Sequence, residues 1–244
     1  MRYIIFLWLG LLLVSCKPQG LDANAIIAKA YEAHGGKQVW DRIGTLKYQK
    51  ESTVYNADGS TRVKSLQDHD YKMQPTFSAV IKWDDDTTHH QITLKDDSTQ
   101  KWINGEELMD EKVRAAAEEI VYTALYTVSQ PFKLSDPGVL LSYEGEDVLE
   151  EGQSVYVVKA SYNTENENHT QSDEWWYFFD QSSFLCLATM VHHGSTYSYI
   201  KNLEFDRSTD IVFNAHRKGY AVDSVRNILY HQSEYYYLNY QIQD

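Results

Sequence analysis

From Thr45 onward the apolar residues of this chain recur with a period of two, in short runs separated by polar turns. The runs TLKYQKESTVY, TFSAVIKW, HHQITLKD, TQKWINGEEL, SVYVVKASY, EWWYFFD, SSFLCLATMVHH, STYSYIKNLEF and NILYHQSEYYYLNYQI either alternate or are apolar throughout. Successive side chains on a strand point to opposite faces, so such runs describe an antiparallel sheet with a buried face. The turn NADGS contains Asp58-Gly59, a strong hairpin signal. TRVKSLQDHDYKM is more polar than its neighbours and is expected at an edge or on a solvated face. The 19 Tyr, 6 Trp and 8 Phe agree with a β-rich chain, because aromatic side chains pack well on pleated surfaces.

Two helical patterns interrupt the strands. Ahead of them, Asp22 can cap a helix whose Ile27, Ala30, Tyr31 and His34 share one face. Gly35 and Gly36 end it, and KQVWDRIG reads as a second short helical turn. The tetrapeptide His34-Gly35-Gly36-Lys37 has no Ser or Thr after its lysine and falls at a helix end. It reads as a helix stop rather than a phosphate cradle. In mid-chain, DEKVRAAAEEIVYTALYTV sets Val113, Ala117, Ile120, Val121, Ala124, Leu125 and Val128 in one broad stripe. Asp110 and Glu111 sit at its positive end, and Pro131 follows. That stripe must be buried, and the sheet is the available surface. No repeat, linker or compositional break divides the chain, so residues 23–244 are expected to form one domain.

The N-terminus has a different character. Arg2 precedes an apolar run from Ile4 to Val14, too short to span a bilayer comfortably but as long as a signal-peptide core. The following Leu13-Val14-Ser15-Cys16 resembles the lipobox of bacterial lipoproteins. It implies a signal peptide over 1–15, lipidation at Cys16 and a lipidated tether over 16–22. By the same resemblance, Lys17 favours the outer membrane over inner-membrane retention. No acidic run of the kind seen in some surface-export signals follows, which favours the periplasmic face. Cys186, the other cysteine, sits in an apolar strand with no cation and reads as an inert small hydrophobe.

The order of lipobox, helix ending in Ala33-His34-Gly35-Gly36, short helix with Trp40, β-meander, amphipathic helix and further strands is distinctive. AIIAKAYEAHGGKQVWDRIGTLKY and EGEDVLEEGQSVYVVKASY, with EWWYFFD ending in Asp180, resemble a group of bacterial lipoproteins with the fold of the carriers LolA and LolB. The resemblance implies an α+β fold: a curved antiparallel β-sheet, an incomplete half-barrel, covered by an N-terminal helix and a mid-chain helix. It also implies a hollow that holds acyl chains or another apolar ligand.

Composition and motifs narrow the function. A net charge of −13 without a basic stripe excludes nucleic acid as a partner. There is no nucleophile elbow, phosphate loop or dinucleotide fingerprint. His89-His90 and His192-His193 are adjacent pairs, and strand neighbours diverge to opposite faces. The familiar metal spacings are absent, so no metal and no cofactor are expected. Asp84 to Asp86 and Asp96-Asp97 read as solvated turns, and Glu118 and Glu119 as the solvated face of the helix. The candidate cavity-lining residues are His34, Trp40, Trp83, Trp102, Trp175 and Tyr177. The reading is a non-catalytic, periplasm-facing lipoprotein that binds a lipid or other apolar small molecule and is held to the membrane through Cys16. A metal-dependent enzyme using His34, His89 or His192, and a module that binds an envelope protein, are the alternatives. Cys16→Ala is expected to abolish palmitate labelling and membrane fractionation; unchanged fractionation rejects the anchor.

Overall fold

The computed structural model describes residues 21–85, 87–162 and 173–244. The signal segment, Cys16, nearly all of the tether and Asp86 lie outside them. Helix α1 (Ala23–Ala33) starts where Asp22 accepts a hydrogen bond from the Ala25 amide at 2.8 Å. It buries Ala23, Ile26, Ile27 and Ala30 and ends at His34. The short α2 (Lys37–Trp40) follows. Six strands come next: β1 (Thr45–Tyr55), β2 (Thr61–Lys72), β3 (Ser78–Asp85), β4 (Thr88–Lys95), β5 (Ser98–Ile103) and β6 (Glu106–Leu108). Helix α3 (Glu111–Val128) and a 3-10 turn (Phe132–Ser135) separate them from a second series. That series is β7 (Val139–Val148), β8 (Ser154–Tyr162), β9 (Glu174–Asp180), β10 (Cys186–His193), β11 (Thr196–Asp206), β12 (Phe213–Val222) and β13 (Ile228–Gln243).

All thirteen strands join one curved, unclosed antiparallel sheet in the order β6-β5-β4-β3-β2-β1-β13-β12-β11-β10-β9-β8-β7. Each series is a meander. The first strand pairs with the last, from Thr45 opposite Gln243 to Val54 opposite Ser233, and this seam joins the meanders. The free edges are therefore β6 and β7, which are consecutive strands in the chain. Their connection, α3 and the 3-10 turn, has to cross from one edge of the sheet to the other.

Side chains on α3 show that crossing. Ala117, Val121, Leu125 and Val128 pack with Leu46, Tyr71, Ile81, Ile92 and Leu94 on the β1–β4 side. Further along the helix, the Tyr126 hydroxyl meets those of Tyr162 and Tyr177, at 2.5 and 2.6 Å, on β8 and β9. The buried stripe is narrower than the sequence suggests, since Ile120 is 43% exposed. Helix α1 covers the other half, where Ile26, Ile27 and Ala30 pack with Val158, Ala160, Tyr177, Phe179 and Cys186. Strand β2 lies inside the sheet rather than at an edge. Its polarity belongs to the outer face, where Arg62, Lys64, Leu66 and Asp68 are exposed, while His69 and Tyr71 point inward and are buried.

The Ala33-His34-Gly35-Gly36 run is a docking point. The His34 carbonyl accepts a hydrogen bond from the Val212 amide at 3.0 Å. Gly35 has φ +106°, and a Cβ there would sit 2.1 Å from the Asp210 carbonyl oxygen. Gly36 also has positive φ, +97°, but open space around it. Gly35→Ala therefore meets both backbone strain and a backbone clash and is expected to destabilise by about 2–4 kcal/mol. Gly36→Ala meets only the strain, and chemical denaturation is expected to show a clearly smaller loss.

Candidate ligand-binding hollow

Alternation along each strand identifies which residues face the helices, and burial along that face is graded. Toward α2 it is closed: Leu46, Tyr48, Tyr71, Ala79, Ile81, Ile92, Leu94, Phe213, Tyr237 and Tyr240 are all buried. Two positions further along β1–β4 and β13 cover thins, although Ser52, Asn202, Arg217 and Ser233 on the same face stay buried. Trp83, His90, Gln67, Lys50, Tyr235, Ile200 and Trp175 lie on the same face and are only partly buried. The half-barrel thus has a packed end and an open mouth.

Aromatic rings build the packed end. Trp40 stacks on Phe132 with centroids 5.0 Å apart, and Tyr31 stacks on the same ring at 5.7 Å. Such pairs add about 0.5–1.5 kcal/mol beyond area burial. Tyr48 stacks on His69 at 4.5 Å, and Phe213 on Tyr240 at 4.2 Å. The β9 run EWWYFFD is covered on both sides. Trp175, Tyr177 and Phe179 face the helices. Phe178 and Trp176 belong to an outer cluster with Val157, Met190, Tyr199 and Val222. Arg226 covers that cluster, 4.8 Å from the Phe178 ring centre, and pairs with Asp147 at 2.7 Å.

The six candidate residues consequently divide. Trp83 and Trp175 stand at the open mouth, and Tyr177 lies deeper, fully buried under Tyr126. Trp40 is part of the packed end. Trp102 alternates with Lys101 and faces away from the helices, into an open outer cleft of about 390 Å³ with Lys82, Asp84, His89 and Gln91. His34 is 3% exposed and gives its Nδ1 proton to the Ala30 carbonyl at 2.8 Å, with Phe205 edge-on. Asp180 closes a turn by accepting from the Ser182 and Ser183 amides at 3.2 and 2.7 Å.

The remaining histidines are dispersed. His89 pairs with Asp84, His193 with Asp173 and His216 with Glu234, at 2.5, 2.6 and 2.7 Å. His192 stacks on Tyr197. Among the described residues, no three His, Cys, Asp or Glu side chains come together as a metal would require. Burial pushes the Cys186 thiol up to about 12.

Two cations on the concave face escape sequence reasoning. Arg217 on β12 is 2% exposed, and Lys50 on β1 borders the open part of the hollow. Neither has a carboxylate partner among the described residues. A third cation, Lys101, lies 3.6 Å above the Trp83 ring, and burial lowers it to about 8. Each sits in a strand of ordinary polarity. Only its phase in the two-residue alternation places it inward, and that phase is set by pairing.

These features define a class: a helix-covered, incomplete antiparallel half-barrel of the LolA type. Three solved structures share it. They are a DUF1329 family protein from Desulfovibrio piger (9% identity, TM-score 0.59, 91% of this chain and 93% of that one), a LolA superfamily protein from Nitrosomonas europaea (10%, 0.56, 92% and 94%), and a putative outer membrane lipoprotein-sorting protein domain from Vibrio parahaemolyticus (12%, 0.52, 89% and 91%). No curated protein sequence matches the chain. The chain belongs to the family of unknown function DUF6503, whose model matches residues 2–191.

The buried histidines make the fold sensitive to acid. Burial lowers His34 to about 4; burial, helped by the charge of Lys50, lowers His69 to about 3. Histidine in the unfolded chain protonates near 6.5. Below about pH 6.5 the unfolded state therefore binds more protons than the folded one, and stability falls as pH drops toward 4. His34 contributes about 3 kcal/mol to that loss. Denaturation at a series of pH values is expected to show the slope between pH 6.5 and 4, and His34→Phe is expected to reduce it.

Proposed function

We propose that this protein is a lipid-anchored envelope protein, facing the periplasm from the outer membrane, that holds a lipid or other apolar ligand in its half-barrel without covalent chemistry. The observation that carries this reading is the graded burial of the concave face. Indole, phenol and aliphatic side chains at Trp83, Tyr235, Ile200 and Trp175 stay partly uncovered on the face that α1 and α3 shelter. An apolar, partly enclosed surface with a few inward polar groups suits a small amphiphile. No described helix is long and apolar enough to cross a membrane. Membrane attachment in this reading falls to Cys16, and the acyl chains on it supply roughly 0.8 kcal/mol per buried methylene.

Native mass spectrometry of the protein extracted from membranes is expected to show a non-covalent lipid-sized adduct. Ile200→Trp, which fills the mouth, is expected to lower its occupancy, whereas Trp102→Ala on the outer face leaves it unchanged. Protein free of any apolar adduct, together with failure to bind an environment-sensitive apolar dye, rejects the reading. A single crosslinked envelope protein beside an empty hollow supports an interaction module instead.

A further inference from the structure

The hollow has a polar floor of one sign. Lys50 and Tyr237 are direct cross-strand partners on β1 and β13, and Tyr235 and Arg217 are direct partners on β13 and β12. Opposed residues in an antiparallel pair share a face, so the four form one inward-facing block across three adjacent strands. The Lys50 ammonium lies 4.8 Å from the centre of the Tyr235 ring. Arg217 gives its Nε proton to Asn202 Oδ1 at 2.8 Å. His69 adds a neutral ring one strand away, stacked on Tyr48.

No carboxylate balances this block among the described residues. Neighbouring acids point the other way: Glu51 pairs with Lys64, Asp68 with Gln49, and Glu234 with His216 and Lys218. Each occupies the opposite phase of its strand. Buried charges are ordinarily paired, because an unpaired one loses hydration without return. Here two cations of like sign face one concavity. Burial lowers the Lys50 ammonium, and the Arg217 charge acts in the same direction, while Lys50 in turn lowers His69. Yet Lys50 keeps accessible surface. The block is therefore reached through Lys50, while Arg217 lies covered behind it, and two like charges without a carboxylate leave room for an anionic partner.

We infer that Lys50 and Arg217 form an anion-binding floor, and that the ligand of the hollow is an amphiphile with an anionic carboxylate or phosphate head directed onto them and its apolar chain along the aromatic wall. This rests on the reading of the half-barrel as a container for apolar ligands and adds the charge of the head group. Lys50 supplies a reachable ammonium. Arg217, oriented by Asn202, supplies a fixed positive field. Charge-assisted hydrogen bonds of this type are among the stronger ones in proteins.

The test is displacement of an apolar fluorescent dye from the full chain by oleate, oleoyl lysophosphatidate, oleyl alcohol and inorganic phosphate. Both anionic amphiphiles are expected to bind about 10- to 100-fold tighter than the alcohol. Lys50→Met is expected to erase that preference while leaving alcohol binding in place. Its thermal midpoint is expected not to fall, since the substitution removes an unbalanced interior charge. Arg217→Gln is the second variant, expected to narrow the same preference. Equal binding of oleate and alcohol by the parent, or a preference that survives Lys50→Met, overturns the anion floor and leaves the apolar container standing. Displacement by phosphate alone at the concentration of the amphiphiles assigns the floor to a free anion and overturns the amphiphile. Failure of every chain-bearing probe overturns the container itself.

Discussion

The pairing of β1 with β13 is the constraint on which the rest of the molecule depends. It sews the two meanders together and leaves the two consecutive strands β6 and β7 at opposite edges. The chain between them has to pass over the concave face, and an amphipathic helix is the segment that can do so with its backbone hydrogen bonds satisfied. Helix α3 is therefore both connection and cover. The edges stay apart instead of closing a barrel. β6 is only three residues long, and β7 carries Glu144, Glu146 and Asp147, features that discourage further strand addition.

The same arrangement explains the graded interior. Three helices and a 3-10 turn lie over the curve of the thirteen described strands. They concentrate at the end where α1 docks through His34 and Gly35, and the stacked Trp40, Phe132 and Tyr31 close it. Beyond that end, Trp83, Lys50, Tyr235 and Trp175 are partly uncovered, while Arg217 stays buried beside them. A fold built to be stable throughout would place aliphatic residues at Lys50 and Arg217.

Much of the framework is legible in the primary structure, because it rests on local rules. Asp22 and Asp110 mark helix starts by side-chain capping, Gly35 and Gly36 mark a stop, and Asp58-Gly59 marks a hairpin. The period-two runs became strands, and the resemblance to LolA-type proteins carried the curvature. The site was less legible. Trp83 and Trp102 look alike in sequence, on β3 and β5 of one meander, yet they face opposite sides of the sheet. The polarity of β2 fits an edge or a solvated face alike, and pairing on both sides makes it the second. His34 shares a helix face with Ile27 and Ala30, and that face proved to be core.

The sequence by itself determined the elements, since periodicity, capping and turn chemistry act over a few residues, and its resemblance to LolA-type proteins supplied the half-barrel class. The tertiary structure alone decided which face of each strand is concave, how far the helices cover it, and which charges lack a partner. Those depend on register between strands far apart in the chain, above all the seam between Thr45–Val54 and Ser233–Gln243. A shift of one residue there would turn Lys50 outward and Glu51 inward. The chemistry of the hollow is therefore a property of pairing rather than of any local run of residues.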